Sequence, residues 1–237
     1  MRRTIRTLCV AVVATTLIVS AAFGQQKGKG RGGFGGGGPL SPVVIVGNEA
    51  VQKDLGVSSD LAGKLTSLRD DMNAARQKEY QTAGINPQDF QNLTNEQRQK
   101  MAEIGNKLND EFNPKLKAII SPDQYKRLAQ IQLQSNLRNI GPGALTTGET
   151  AAELKLTDDQ KQKLNALGAE FAQKQRDLFT GGGFDQAAMA KLRDERTTKT
   201  MELLTAEQKE TLNKLKGSDF DVSQLGFGFG GRRGKGN

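Results

Sequence analysis

The sequence of 237 residues contains a single cysteine, Cys9, and neither histidine nor tryptophan. Residues 25–237 therefore lack the side chains for a disulfide, a thiolate or imidazole zinc site, or a cysteine nucleophile. The formal net charge is +8, but every charged residue of 1–40 and 226–237 is basic, which leaves residues 41–225 at about −1 and excludes a broadly basic nucleic-acid-binding surface.

The N-terminal segment, residues 1–24, has the three-part layout of a secretory signal peptide. Three arginines precede an apolar stretch from Leu8 to Val19, which is shorter than the ~20 residues needed to span a bilayer. We expect cleavage after Gly24 and a periplasmic or secreted protein.

Two Gly-rich basic segments flank the central part of the sequence. One follows the signal peptide at residues 25–40, and the other is at residues 218–237. Ordering so many glycines costs more backbone entropy than their few apolar neighbours can offset. We expect both segments to be disordered tails that are attracted to polyanions such as an anionic envelope surface.

Between the tails, a motif typical of helix starts occurs five times. An apolar residue is followed by Ser or Thr, then by an acid two places after that hydroxyl residue and, in four copies, by Gln three places after it. The hydroxyl can cap the first turn, the Gln can complete a capping box, and the acid lies near the positive end of the helix dipole. The residues assigned to these caps are Ser58, Asp60, Thr94, Glu96, Gln97, Ser121, Asp123, Gln124, Thr157, Asp159, Gln160, Thr205, Glu207 and Gln208.

The recurring acids also admit a functional interpretation, as catalytic or metal-binding carboxylates. We favour the structural one, because an acid at a helix start with a base four residues later is common on solvated surfaces. The four such bases are Lys64, Lys100, Arg127 and Lys163. No spacing typical of a calcium loop or of a serine with its base occurs. We expect no enzymatic activity and no catalytic, cofactor or metal residues, and leave open whether carboxylates bind a hard cation.

The motif copies form two related series. The first and fourth copies are 99 residues apart, and the third and fifth are 84 residues apart. This pattern predicts two related halves, 45–137 and 148–217, joined by a linker at 138–147. The difference of 15 between the two offsets predicts an insertion around Thr82–Gln97 in the first half.

Apolar residues recur at steps of three and four through both halves, as at Leu61, Leu65 and Leu68, whereas alternation with period two is confined to the short run Val43–Val46. We expect an all-α protein of long amphipathic helices in two helical-hairpin halves. The expected helix breakers are Pro87, Pro114, Pro122 and Gly181–Gly183.

The motif resembles that of the Spy/CpxP-like proteins, which are named for an LTxxQ sequence. Three copies match this sequence in full: Leu93–Gln97, Leu156–Gln160 and Leu204–Gln208. Ile120–Gln124 matches with conservative changes, and Val57–Leu61 lacks the Gln. The resemblance covers about 48–217. It implies a periplasmic helical protein whose paired subunits form a cradle for unfolded proteins without ATP, or one that modulates an envelope-stress sensor; it assigns no client-binding residues.

We therefore expect an exported, ATP-independent protein-binding protein of the envelope stress response. Its partners would be unfolded or envelope proteins, and it would be either a pseudo-dimer within one chain or a homodimer. The alternative is a non-enzymatic structural or surface-binding envelope protein whose basic Gly-rich tails bind polyanions. Neither hypothesis involves specific nucleic-acid binding.

Overall fold

A computed structural model describes residues 40–180 and 185–226, without the side chains at 90, 91, 179 and 180. Within these residues the protein is all-helical and has no strand. Its α-helices are α1 (Pro42–Val46), α2 (Glu49–Asp54), α3 (Ser59–Thr82), α4 (Asn95–Ile119), α5 (Pro122–Asn139), α6 (Gly148–Glu153), α7 (Asp158–Thr180), α8 (Gln186–Glu202) and α9 (Ala206–Lys216). The 3₁₀ turns are Pro87–Asn92, Gly141–Leu145 and Val222–Leu225.

Several predicted features lie outside the described residues. These are the signal peptide at 1–24, the front tail up to residue 39, the Gly triplet at 181–183 and the last part of the second tail at 227–237. Across 40–180 and 185–226, no helix combines the length and the apolar character that a membrane span requires.

The first apolar core lies between α3 and α4, which pack against each other along their length. Each helix contributes residues spaced by three or four, so that one face of each is buried. Helix α1 closes this core: Val43, Ile45 and Val46 are fully buried. The segment Val43–Val46, for which a period of two was expected, is a run of four consecutive apolar residues and forms a single helical turn, with Pro42 at its favoured first position.

A second apolar core lies among α6, α7, α9 and the turn Gly141–Leu145. It contains Leu145, Leu164 and Leu212, each almost fully buried. Helix α5 serves both cores, because Leu128 and Ile131 are in the first and Leu133 is in the second. The two cores are therefore joined by a continuous helix.

The predicted linker at 138–147 is instead mostly a packed part of the fold. Helix α5 continues to Asn139, and the turn Gly141–Leu145 then packs against α5, α7 and α8. Gly141 has φ of +78°, and a Cβ on it would lie 2.8 Å from Cδ of Arg196. Glycine is therefore needed here for a close approach between elements, which its sequence context alone does not indicate.

Pro114 was expected to break a helix, and this prediction is wrong, since α4 runs through it from Asn95 to Ile119. Proline lacks an N–H and so leaves the carbonyl four residues earlier, on Asp110, without its helical partner. Both Pro114 and Asp110 are exposed. Water can therefore take the place of the missing donor.

The second predicted tail begins later than the sequence indicated, because residues 218–226 are folded. The side chain of Gln134 donates to the carbonyls of Lys216 and Ser218, both at 2.8 Å, and accepts from the backbone N–H of Phe220 at 2.9 Å. Leu225 is buried in the first core. Residues 218–226, which we call the C-terminal strap, thus pack across α5.

Candidate binding surfaces

All five predicted caps are present at helix starts. Each Ser or Thr accepts a hydrogen bond from the backbone N–H three residues later, at 3.1 to 3.3 Å. In the four copies with Gln, the carboxamide oxygen in turn accepts from the N–H of the cap residue. The caps are Ser58, Thr94, Ser121, Thr157 and Thr205.

The acids of the motif lie in the first turn, as expected, but only one of the four predicted ion pairs forms. Lys163 contacts Asp159 at 2.8 Å. Lys100 instead pairs with Glu103, and Arg127 forms a two-bond pair with Asp54 at 2.7 and 3.1 Å. Within 40–180 and 185–226, no three acidic residues are grouped so that they could hold a metal ion.

The Gln residues of the fourth and fifth copies also make hydrogen bonds outside their own caps, which the motif did not predict. Gln160 donates to the carbonyl of Leu203 at 3.0 Å, and Gln208 donates to the carbonyl of Leu154 at 3.1 Å. The two carboxamides also bond each other reciprocally, at 2.7 and 3.0 Å. We call these four contacts the glutamine clasp; it fastens the starts of α7 and α9 together.

The first and third copies form half of such a clasp. Gln124 donates to the carbonyl of Leu55 at 3.1 Å. The first copy has Leu61 where the fourth has Gln160, and Leu61 packs against the first core instead. Gln97, in the second copy, bonds only within its own cap among the described residues. The predicted cap residues therefore make the expected cap contacts at five separate helix starts, and Gln160 and Gln208 also meet each other.

A surface that the motif did not predict lies between α7 and α8. Three apolar residues, Ala166, Leu167 and Leu203, form its centre, and the shallow depression over them has a volume of about 390 Å³. Its rim carries both signs of charge, from Lys163, Glu170, Lys199 and Glu202. We call these seven residues the α7–α8 surface.

The α7–α8 surface is open at a position that is closed in the helix of the first motif copy. Leu167 is half-buried, whereas Leu68, at the same position of the first motif copy, is only 7 % exposed. Ala166 beside it is exposed. Apolar area is thus left in contact with water at this hairpin, next to charged groups.

A ring of four alternating charges borders the α7–α8 surface. Lys174 contacts Glu170 at 2.9 Å and Glu195 at 3.1 Å, and Lys199 contacts the same two acids at 3.7 and 3.2 Å. Hydrogen bonds from Lys174 lower the pKa of Glu170 and Glu195, and those two acids raise the pKa of Lys174. Both ammonium groups also lie over the ring of Phe171. The ring is neutral overall and ties α7 to α8.

The α7–α8 surface can contact apolar side chains at its centre and charged groups of either sign at its rim. Leu167 and Phe171 are spaced by four residues, as on an apolar helix face, but this spacing gives no signal that Leu167 stays partly exposed, since its exposure depends on which elements cover it. No protein-family model, curated protein or solved structure matches the chain.

Proposed function

We propose that this protein is an exported, ATP-independent protein-binding protein of the Spy/CpxP-like type, without enzymatic activity. It would act as a chaperone for unfolded envelope proteins or as a modulator of envelope stress. The observation that carries the proposal is the α7–α8 surface, where apolar side chains lie open among charges of both signs.

A surface of this kind fits clients without a fixed sequence. The apolar centre offers contact area at roughly 25 cal/mol per Å², which is non-directional. Rim charges of both signs favour neither acidic nor basic clients as a class. Because the depression is shallow, each contact is weak and reversible, and release needs no energy source.

We infer further that the chain comprises two related halves, which act as a pseudo-dimer or assemble as a homodimer. Three pairs of structural features, separated by 99 or 84 residues as the motif copies are, support this inference. Gly56 and Lys155 both end a short helix with positive φ, at 60° and 49°. Gln124 and Gln208 both bond the residue before those positions, and α1 and the turn Gly141–Leu145 begin 99 residues apart. The greater length of α4, 25 residues against 17 in α8, accounts for part of the proposed insertion.

Export would depend on residues 1–24, and the basic ends of the chain would add affinity for an anionic envelope surface. That affinity would be salt-sensitive, because exposed charges are screened over ~8 Å at physiological ionic strength. Client binding on the α7–α8 surface would not require the tails.

The test is suppression of aggregation by the purified chain. We expect it to slow the aggregation of a chemically denatured client at low molar ratio. Ala166→Asp places a charge at the apolar centre and should weaken the protection about fivefold, equivalent to ~1 kcal/mol of binding free energy.

The matched control is Ala169→Asp, on the same helix and equally exposed but outside the α7–α8 surface. It should protect as well as the unsubstituted chain. The proposal fails if the unsubstituted chain gives no protection, or if the two substitutions reduce protection equally.

A further inference from the structure

A second depression, a groove, lies between α5, α8, α9 and residues 218–226. Its volume is about 290 Å³, and it shares no residue with the α7–α8 surface. Apolar side chains from all of these elements line it: Leu137, Met201, Leu212, Phe220 and Val222. All except Leu212 are half-buried, so their apolar surface is accessible within the groove.

Four cations also line the groove, and no acid does: Arg138, Arg193, Arg196 and Lys216. Among the residues that the structure describes, none of the four is in an ion pair. Asp221, which lies between the lining residues Phe220 and Val222, interacts electrostatically with Arg138 and is hydrogen-bonded by Ser223 and Gln224. Four cations against one neighbouring acid leave the groove with a net positive charge.

Arg196 is held in position before any ligand binds. Its Nη2 donates to the carbonyls of Leu137 and Arg138, at 3.2 and 2.7 Å, at the end of α5. Its stem passes over Gly141, where a Cβ would collide with it. Burial and the neighbouring Arg193 lower its pKa. The Nε and Nη1 donors have no partner among the described residues, so a fixed, partly desolvated guanidinium faces an apolar groove.

The neutral polar groups of the groove are already bonded within the protein. The carboxamide of Gln134 binds three backbone groups, and the hydroxyls of Thr197 and Thr200 donate to the carbonyls of Arg193 and Arg196. A peptide in the groove would therefore bury backbone N–H and C=O groups with few partners, which is costly. A ligand with one anionic head and an apolar chain has no such cost.

We propose that this groove binds a single-chain amphiphile with a carboxylate head, of the fatty-acid class. The carboxylate accepts a charge-assisted hydrogen bond from Nη1 of Arg196, whose Nη2 is already occupied, and pairs with the guanidinium of Arg193. The chain lies along Phe220, Val222, Met201 and Leu137. The volume is at the lower end of the ~300–1,000 Å³ typical of small-molecule sites, which suits one chain. This activity is independent of client binding on the α7–α8 surface.

The test is titration calorimetry of the purified chain with three twelve-carbon probes, each below its micelle concentration: dodecanoate, dodecyltrimethylammonium and dodecanol. We expect dodecanoate to saturate one site, with an affinity at least ~10-fold higher than that of either other probe. A preference for dodecyltrimethylammonium, or equal binding of all three, would overturn the proposal.

Variants locate the site. Arg193 is exposed and makes no side-chain contact that α8 needs, so Arg193→Met should fold normally and bind dodecanoate about 5-fold to 10-fold more weakly. Arg196→Met should lose more, but it also frees two carbonyls of α5, so its stability is checked by urea unfolding. Lys191→Met removes the same charge from an exposed position of α8 outside the groove.

Lys191→Met should leave the affinity for dodecanoate unchanged. Equal losses in Arg193→Met and Lys191→Met would show attraction by net charge alone and overturn the site. A second copy of the chain bound in the groove would also overturn the proposal. Sedimentation would then show a dimer that Arg193→Met dissociates and that dodecanoate does not.

Discussion

At the scale of single residues, the Gln of three motif copies, Gln124, Gln160 and Gln208, makes two kinds of contact with one carboxamide. Its oxygen completes the cap of its own helix, which is a contact over three residues. Its nitrogen reaches a carbonyl 43 to 69 residues away, next to another motif copy. The motif therefore starts helices and also fixes how two helix starts meet.

Replacing Gln160 by Leu reproduces the residue that the first copy has naturally at Leu61. The change leaves the N–H of Thr157 and the carbonyl of Leu203 without a partner and breaks the glutamine clasp. We expect a loss of ~2 kcal/mol in the free energy of unfolding, measured by urea denaturation. Gln97→Leu removes only a capping-box contact and should cost ~0.5–1 kcal/mol. A cost for Gln97→Leu equal to or above that for Gln160→Leu would contradict this account.

The cap contacts could be predicted from the sequence because they join residues three apart in a helix of known geometry. The ion pairs of the same motif could not. Arg127 has Asp123 four residues before it, yet it binds Asp54, 73 residues away. Asp54 accepts two hydrogen bonds from Arg127 in a half-buried environment, which makes a strong pair. Only the tertiary fold brings Asp54 next to Arg127.

At the scale of elements, α7 and α8 are joined by the ring of Glu170, Lys174, Glu195 and Lys199. The pKa values of both acids are lowered in the folded protein. A carboxyl group with a lowered folded-state pKa stabilises the fold above its unfolded pKa. That contribution disappears as the pH falls through the folded-state value.

Glu195→Gln tests this contribution. At pH 7 the substituted chain should unfold at a lower urea concentration than the unsubstituted one, and the difference should shrink as the pH falls below 4.5, the ordinary value for the carboxyl group. Glu153→Gln removes an exposed acid that forms no ion pair with the described residues, and it should show no such trend. A difference for Glu195→Gln that stays constant from pH 7 to pH 3 would exclude a role for the ring.

The long helices were predictable because their apolar residues repeat with helical period, and α3, α4, α5 and α7 all follow such stripes. The short elements were not. Val43–Val46, the turn Gly141–Leu145 and residues 218–226 have little pattern of their own. These segments are ordered because they are buried against the long helices. Such burial depends on residues far away in the sequence, so the local sequence does not predict it.

At the scale of the whole folded unit, α5 joins the two apolar cores, and its Gln134 holds residues 216–220 by hydrogen bonds. The two proposed binding surfaces lie on α8, with different lining residues. The sequence indicated an all-helical scaffold, but it could not place either surface. Each surface consists of side chains that the neighbouring helices and turns do not cover, and this depends on the tertiary fold.

The central claim is that unfolded clients bind at the α7–α8 surface, and amide hydrogen exchange of the chain with and without a denatured client tests it most directly. Exchange reports local opening, which a bound client on a helix pair suppresses. The account predicts that added protection is concentrated in α7 and α8, and that Ala166→Asp reduces it at a subsaturating client concentration while Ala169→Asp does not. Protection confined to α3 and α4, or no change in any helix at saturating client, would contradict it.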